Sequence, residues 1–135
     1  MSDQTRFAEL YPLFYEKVKD FPDFQLEQGL SSEDLDEIEK KLDIKIEERL
    51  RELFNISASL KMNGLAIKAR ELGPIVMPSS EALVIGEFYL YHPGDRLLML
   101  PNDSSIYYLE QRNGAITKLA RNLDDFLNVT LPRFL

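Results

Sequence analysis

At 135 residues the chain suits one domain able to bury a real core, and 44% hydrophobic against 29% charged residues is ordinary for a globular protein. A formal charge of −7 with a pI of about 4.8 argues against nucleic acid as a ligand, because phosphate-backbone binding needs clustered Lys and Arg. No stretch is apolar enough to span a bilayer, there is no cysteine for disulfides or thiol chemistry, and MSDQTRFAEL lacks a signal-peptide core; the expectation is a cytoplasmic protein that does not enter a membrane.

Residues 1–28 read as an N-terminal helix and a connector. Phe7, Leu10, Tyr11, Phe14 and Val18 form a helical stripe from about Asp3 to Lys19, with Pro12 either kinking it or marking its true first turn. Phe21-Pro22-Asp23-Phe24 breaks the pattern, and Gly29 closes the connector.

Ser31 to Phe54 organises the rest. Ser31 or Ser32 can cap a helix whose first turn carries Glu33, Asp34 and Asp36, where carboxylates face the positive end of the helix dipole. Leu35, Ile38 and Leu42 supply its buried stripe. Ile44 and Ile46 alternate as in a short extended crossing, and Leu50, Leu53 and Phe54 then restart a helical stripe. The two helices should share one apolar surface, covering a sheet built from residues after Gly64.

Beyond Phe54 the pattern loosens, leaving room for the helix to run on for a turn or more before Asn63-Gly64 provides a stop or turn, with its end not fixed by the pattern. Leu65, Ile67 and Ala69 alternate as a strand, and Ile75-Val76-Met77 between prolines forms a stiff loop or short edge strand. An antiparallel meander follows, with strands at Glu87–Tyr91, Arg96–Leu100, Ile106–Leu109 and Ala115–Lys118. His92-Pro93-Gly94-Asp95 and Pro101-Asn102-Asp103-Ser104 supply turns, and Asn113-Gly114 suits a type I′ hairpin. Asn122 caps a last helix that Pro132 should end. The expected class is α+β: a single domain, residues 1–135, with an antiparallel or mixed sheet flanked by N-terminal helices and a C-terminal helix.

Leu35, Ile38 and Glu39, then Ile44, Ile46, Leu50 and Leu53, then Tyr107-Tyr108-Leu109, Asn113-Gly114, Ile116 and the terminal run through Phe126 and Leu127 fall in a telling order. Over residues 29–128 the chain thereby resembles the SUKH superfamily, the Smi/Knr-like domain of fungal cell-wall regulators and bacterial toxin-immunity proteins. The family usually has Gly before the joint and Pro opening the second helix, where this chain has Asp43 and Glu47. The resemblance implies a SUKH-like fold and a protein-binding role: an immunity protein that neutralises a toxin by occlusion or, as the alternative, a regulatory or scaffolding module.

The chemistry of the residues agrees with a binding role. His92 stands alone beside Pro93, nucleotide and hydrolase motifs are missing, and Asp34 and Asp36 diverge on their helix, so no catalytic, cofactor or metal residues are assigned. A small enzyme acting through carboxylates is a third possibility that no motif supports. Two groups of residues are candidates for holding a protein partner. One is the acidic helix face of Glu33, Asp34, Asp36 and Glu37, suited to a basic toxin domain; the other is the tyrosines of the sheet, Tyr89, Tyr91 and Tyr107, with Phe88 and Tyr108 beside them.

Overall fold

Pro12 cuts the N-terminal stripe in two in the computed structural model, which describes residues 3–62, 64–76 and 81–135. Helix α1 (Asp3–Leu10) stops short of the proline and α2 (Pro12–Val18) begins on it. Proline has no N–H to give to the preceding turn, yet its fixed φ suits a first helical position. Tyr11 makes no side-chain cap; the Phe14 N–H at the start of α2 donates instead to Asn128 Oδ1 at 3.2 Å, from the far end of the chain. Phe7, Tyr11, Phe14 and Val18 are all buried, so the aromatic stripe packs inward.

Helices α3 (Ser32–Leu42) and α4 (Glu48–Ile56) stand where their apolar stripes put them. Ser31 caps α3 in a capping box: its hydroxyl accepts from the Asp34 N–H at 3.1 Å, and the Asp34 carboxylate accepts from the Ser31 N–H at 3.2 Å. Asp43 ends the helix at φ 53°, a left-handed conformation that a short polar side chain tolerates better than most. Glu47 caps α4, accepting from the N–H groups of Arg49 and Leu50 at 2.7 and 3.3 Å. Between the helices, Ile46 is buried and Ile44 half-buried in the extended joint. Gly29 in the connector lies against the end of α4, where a Cβ would meet the Asn55 carbonyl oxygen at 1.9 Å; only glycine allows that approach.

Among the described residues, eight antiparallel strands form one sheet: β1 (Gln25–Leu26), β2 (Ser59–Met62), β3 (Leu65–Lys68), β4 (Gly73–Val76), β5 (Glu81–Phe88), β6 (Arg96–Met99), β7 (Ile106–Leu109) and β8 (Ile116–Ala120). The order is β1-β2-β3-β5-β6-β7-β8, and β4 pairs with the first half of β5 while β3 pairs with its end. The fold class is therefore α+β with helices at both ends of the chain.

Several expectations need correction. The helix runs only two residues past Phe54, ending at Ile56, well short of Asn63-Gly64, and residues 59–62 are β2, paired to both β1 and β3. Two strands thus come from before Gly64. Strand Glu87–Tyr91 is displaced, because β5 runs from Glu81 to Phe88 and Tyr89 and Tyr91 lie beyond it. The hairpin at Asn113-Gly114 is not type I′, which needs φ above zero at both central residues. Gly114 alone is left-handed there, at φ 73°, since the Glu110 N–H reaches the Ala115 carbonyl and leaves a four-residue loop. Pro132 does not end the last helix. Helix α5 (Leu123–Asp125), capped by Asn122, widens into a π turn (Phe126–Thr130) and tightens into a 3-10 turn (Leu131–Phe134) that holds Pro132 near its start. The Met77 and Asn63 assignments lie outside the described residues.

The helices pack on one face of the sheet. Leu35, Leu50, Leu53, Phe54 and Phe126 join Leu97 and Tyr108 in the main core, and Ile38 packs against it half-buried. Side-chain alternation sends Leu98 and Tyr107 to the opposite face, where Leu98, Ala82 and Leu109 make a second, smaller buried cluster. Among the described residues no helix is long and apolar enough to cross a membrane.

Candidate functional site

The acids of α3 do not act as one surface. Asp34 is occupied by the capping box and Asp36 by Arg51, whose Nη2 lies 2.9 Å from Asp36 Oδ1. Glu33 and Glu37 are exposed, with no hydrogen bond or ion pair to the described residues. Asp34 and Glu37 border a groove of about 360 Å³ together with Ile38, Lys41 and Arg70, so cations stand beside the acids.

Glu39, one position beyond the expected acidic face, has a structural task. Its Oε2 accepts from the Ile46 N–H at 2.7 Å and its Oε1 sits 3.0 Å from Arg51 Nη1. One carboxylate thereby ties α3, the joint and α4 together, with Arg51 bridging back to Asp36. Charge-assisted bonds of this kind are about twice as strong as neutral ones.

The three candidate tyrosines separate. Tyr107 lies half-buried on the sheet face away from the helices, and its hydroxyl donates to Asp103 Oδ2 at 2.6 Å. That bond lowers the pKa of the Asp103 carboxyl and raises that of the Tyr107 phenol. Tyr89 and Tyr91 follow β5, 56% and 61% exposed, at the end of the sheet that the C-terminus reaches. A cleft of about 560 Å³ there is lined by Gly64, Phe88, Tyr89, Leu90, Phe134 and Leu135. Phe134 is half-exposed, with its ring 6.2 Å from Phe88.

Buried groups hold Tyr91 in place. Its ring meets Tyr108 edge to face at 5.6 Å, and its N–H donates to the Tyr108 hydroxyl at 3.2 Å. That hydroxyl donates in turn to the buried Asp95 carboxylate, which also accepts from the Gln111 N–H at 3.0 Å. The Tyr108 hydroxyl, with Gln111, lowers the Asp95 pKa; burial and then Asp95 raise that of Tyr108. The network joins the turn after β5 to the loop after β7.

A further groove, of about 570 Å³, opens between the α3–α4 joint and the turn after β6. Its apolar part comes from Ile44, Ile46, Leu83, Met99 and Leu100, and its border from Asp43, Glu48, Glu81 and Asp103. Sequence reading missed it. The joint and the Pro101–Ser104 turn were both legible, but nothing local says that they face each other.

His92 is exposed in its turn. Among the described residues no group of three or more His, Asp or Glu side chains is arranged to hold a metal ion. No protein-family model matches this sequence, and no curated protein is significantly similar to it.

Proposed function

We propose that the chain is a protein-binding module whose role is immunity: it neutralises a cognate bacterial toxin in the cytoplasm by occluding it. The observation that carries the reading is the exposed aromatic end of the sheet, where Tyr91 is held by Tyr108 and Asp95 and stands near Tyr89. Exposed rings that are already ordered give large contact area at little entropic cost on binding, which is the character of interface hot spots. The net charge of −7 favours a basic toxin domain over nucleic acid as partner. The order of the central helices, the hairpin and the terminal helix is in keeping with the SUKH resemblance, and the left-handed Asp43 occupies the place of the family's glycine.

The test is to search the neighbouring reading frames for a large secreted toxin, the expected finding, and to co-express its C-terminal domain with this chain. Restored growth and a stable complex are expected, and Tyr89→Ala with Tyr91→Ala should weaken the complex by about 30-fold or more, the cost of losing a hot spot. Undiminished growth arrest with no complex would overturn the proposal.

A further inference from the structure

We infer that the groove beneath the α3–α4 joint docks an extended basic segment of the partner, one that alternates Lys or Arg with aliphatic side chains. The inference rests on the protein-binding role proposed above and adds a second place of contact, at the opposite end of β5 from Tyr89 and Tyr91, with its chemistry. Four observations carry it.

The groove has an apolar floor. Ile44, Leu83 and Leu100 are half-buried there, each leaving hydrocarbon open to solvent beside the buried Ile46 and Met99. Its volume of about 570 Å³ lies within the usual range for a binding cleft.

Its border is acidic. Among the described residues, five carboxylates line the groove, those of Asp43, Glu47, Glu48, Glu81 and Asp103, against two cations, Lys45 and Arg49. Arg49 is already engaged, 4.0 Å from Glu47 and 3.6 Å from Asp124, so it offers little to an incoming anion. Lys45 is the remaining positive charge.

Two of the acids, Asp103 and Glu47, are positioned before anything binds. Asp103 accepts from the Tyr107 hydroxyl at 2.6 Å and from the Ser105 N–H at 2.9 Å, bonds that orient its carboxylate and lower its pKa. Glu47 is held by its cap on α4. Ordered carboxylates need no rearrangement to receive an ammonium or guanidinium group.

Both the apolar residues and the acids come from two sides of the groove. The joint and the start of α4 supply Asp43 to Arg49, whereas the start of β5 supplies Glu81 to Leu83 and the end of β6 with the turn after it supplies Met99 to Ser104. A chain lying between them meets acids on both walls and hydrocarbon below. An acidic or purely polar segment lacks one of those two complements.

The experiment uses the whole isotopically labelled protein and three synthetic ten-residue probes: alternating Lys-Leu, alternating Lys-Ser and alternating Glu-Leu. Backbone amide shifts locate each probe. The Lys-Leu peptide should shift amides at 44–49, 81–83 and 99–104, and bind at least about tenfold more tightly than either other peptide. Glu48→Lys with Glu81→Lys, two exposed side chains outside the caps, should weaken it by about tenfold or more. Shifts centred on α3 or on Tyr89 and Tyr91, equal affinity for Lys-Ser, or unchanged binding to the double variant would each overturn the inference. Because the peptide assay uses no toxin, its failure is separable from failure of the immunity proposal. A toxin complex that forms normally with the double variant would overturn the groove and leave the proposed role standing.

Discussion

The Tyr108 hydroxyl donates to the buried Asp95 carboxylate while accepting the Tyr91 N–H, so one buried phenol connects an ion to an exposed ring. Asp95 has a folded pKa below its ordinary value, chiefly through that hydroxyl. Its contribution to stability is therefore complete above the unfolded pKa of about 3.9 and is lost as pH falls through the folded value. Tyr108 has the opposite sign. Its raised pKa makes its contribution complete below about 10 and lost as pH rises through the folded value. Tyr108→Phe should lower the urea midpoint at pH 7 and flatten both the acid and the alkaline limbs of the stability profile. Limbs identical to wild type would refute the linkage.

Glu39 predicts a graded pair of variants. Glu39→Ala removes the acceptor of the Ile46 N–H and the partner of Arg51, and should cost about 1.5 to 3 kcal/mol. Glu39→Gln keeps a carbonyl oxygen for Ile46 and should lose less. Denaturant midpoints distinguish the two, and equal losses would mean that the bond to Ile46 contributes nothing.

Tyr11 offers a stabilising substitution. Its hydroxyl is buried and has no hydrogen-bond partner among the described residues, and burial followed by nearby Asp124 raises its pKa. An unsatisfied buried hydroxyl costs about 1 to 3 kcal/mol, so Tyr11→Phe should raise the melting midpoint. A fall in the midpoint would show that the hydroxyl is satisfied.

Leu53 is fully enclosed in the main core. Leu53→Ala should destabilise by about 2 to 5 kcal/mol, the spread reflecting how far the surroundings collapse into the cavity. An unchanged unfolding midpoint would contradict its placement.

The acidic face of α3 demands a more selective kinetic test than charge alone suggests. Reversal of Asp34 breaks the capping box and should cost about 0.5 to 2 kcal/mol of stability, whereas Glu33→Lys with Glu37→Lys leaves the cap intact. If α3 steers a basic partner, the Glu33 and Glu37 reversals should slow association by about tenfold at low salt and far less at high salt. Equal rates at both salt concentrations would exclude steering by this face.

Local periodicity was enough to identify α3, α4, most of the meander strands and the burial of Leu35, Leu53, Phe54 and Phe126, because amphipathic stripes record which side of an element faces away from water. Turn chemistry placed the reversals around Gly94, Asn102 and Gly114. Tertiary structure decided what those patterns leave open. Strands β1 and β2, two and four residues long, are too short for their alternation to stand out and exist through pairing with each other and β3; Asn128 caps a helix 114 positions away. Glu39 reads as one more surface acid until the joint folds back and presents the Ile46 N–H. The tyrosines separate because the strand of Phe88 ends before Tyr89, and the groove exists because the joint lies across from the turn after β6. The common reason is that a stripe reports burial, whereas hydrogen-bond partners, register and concave surfaces depend on residues distant in sequence.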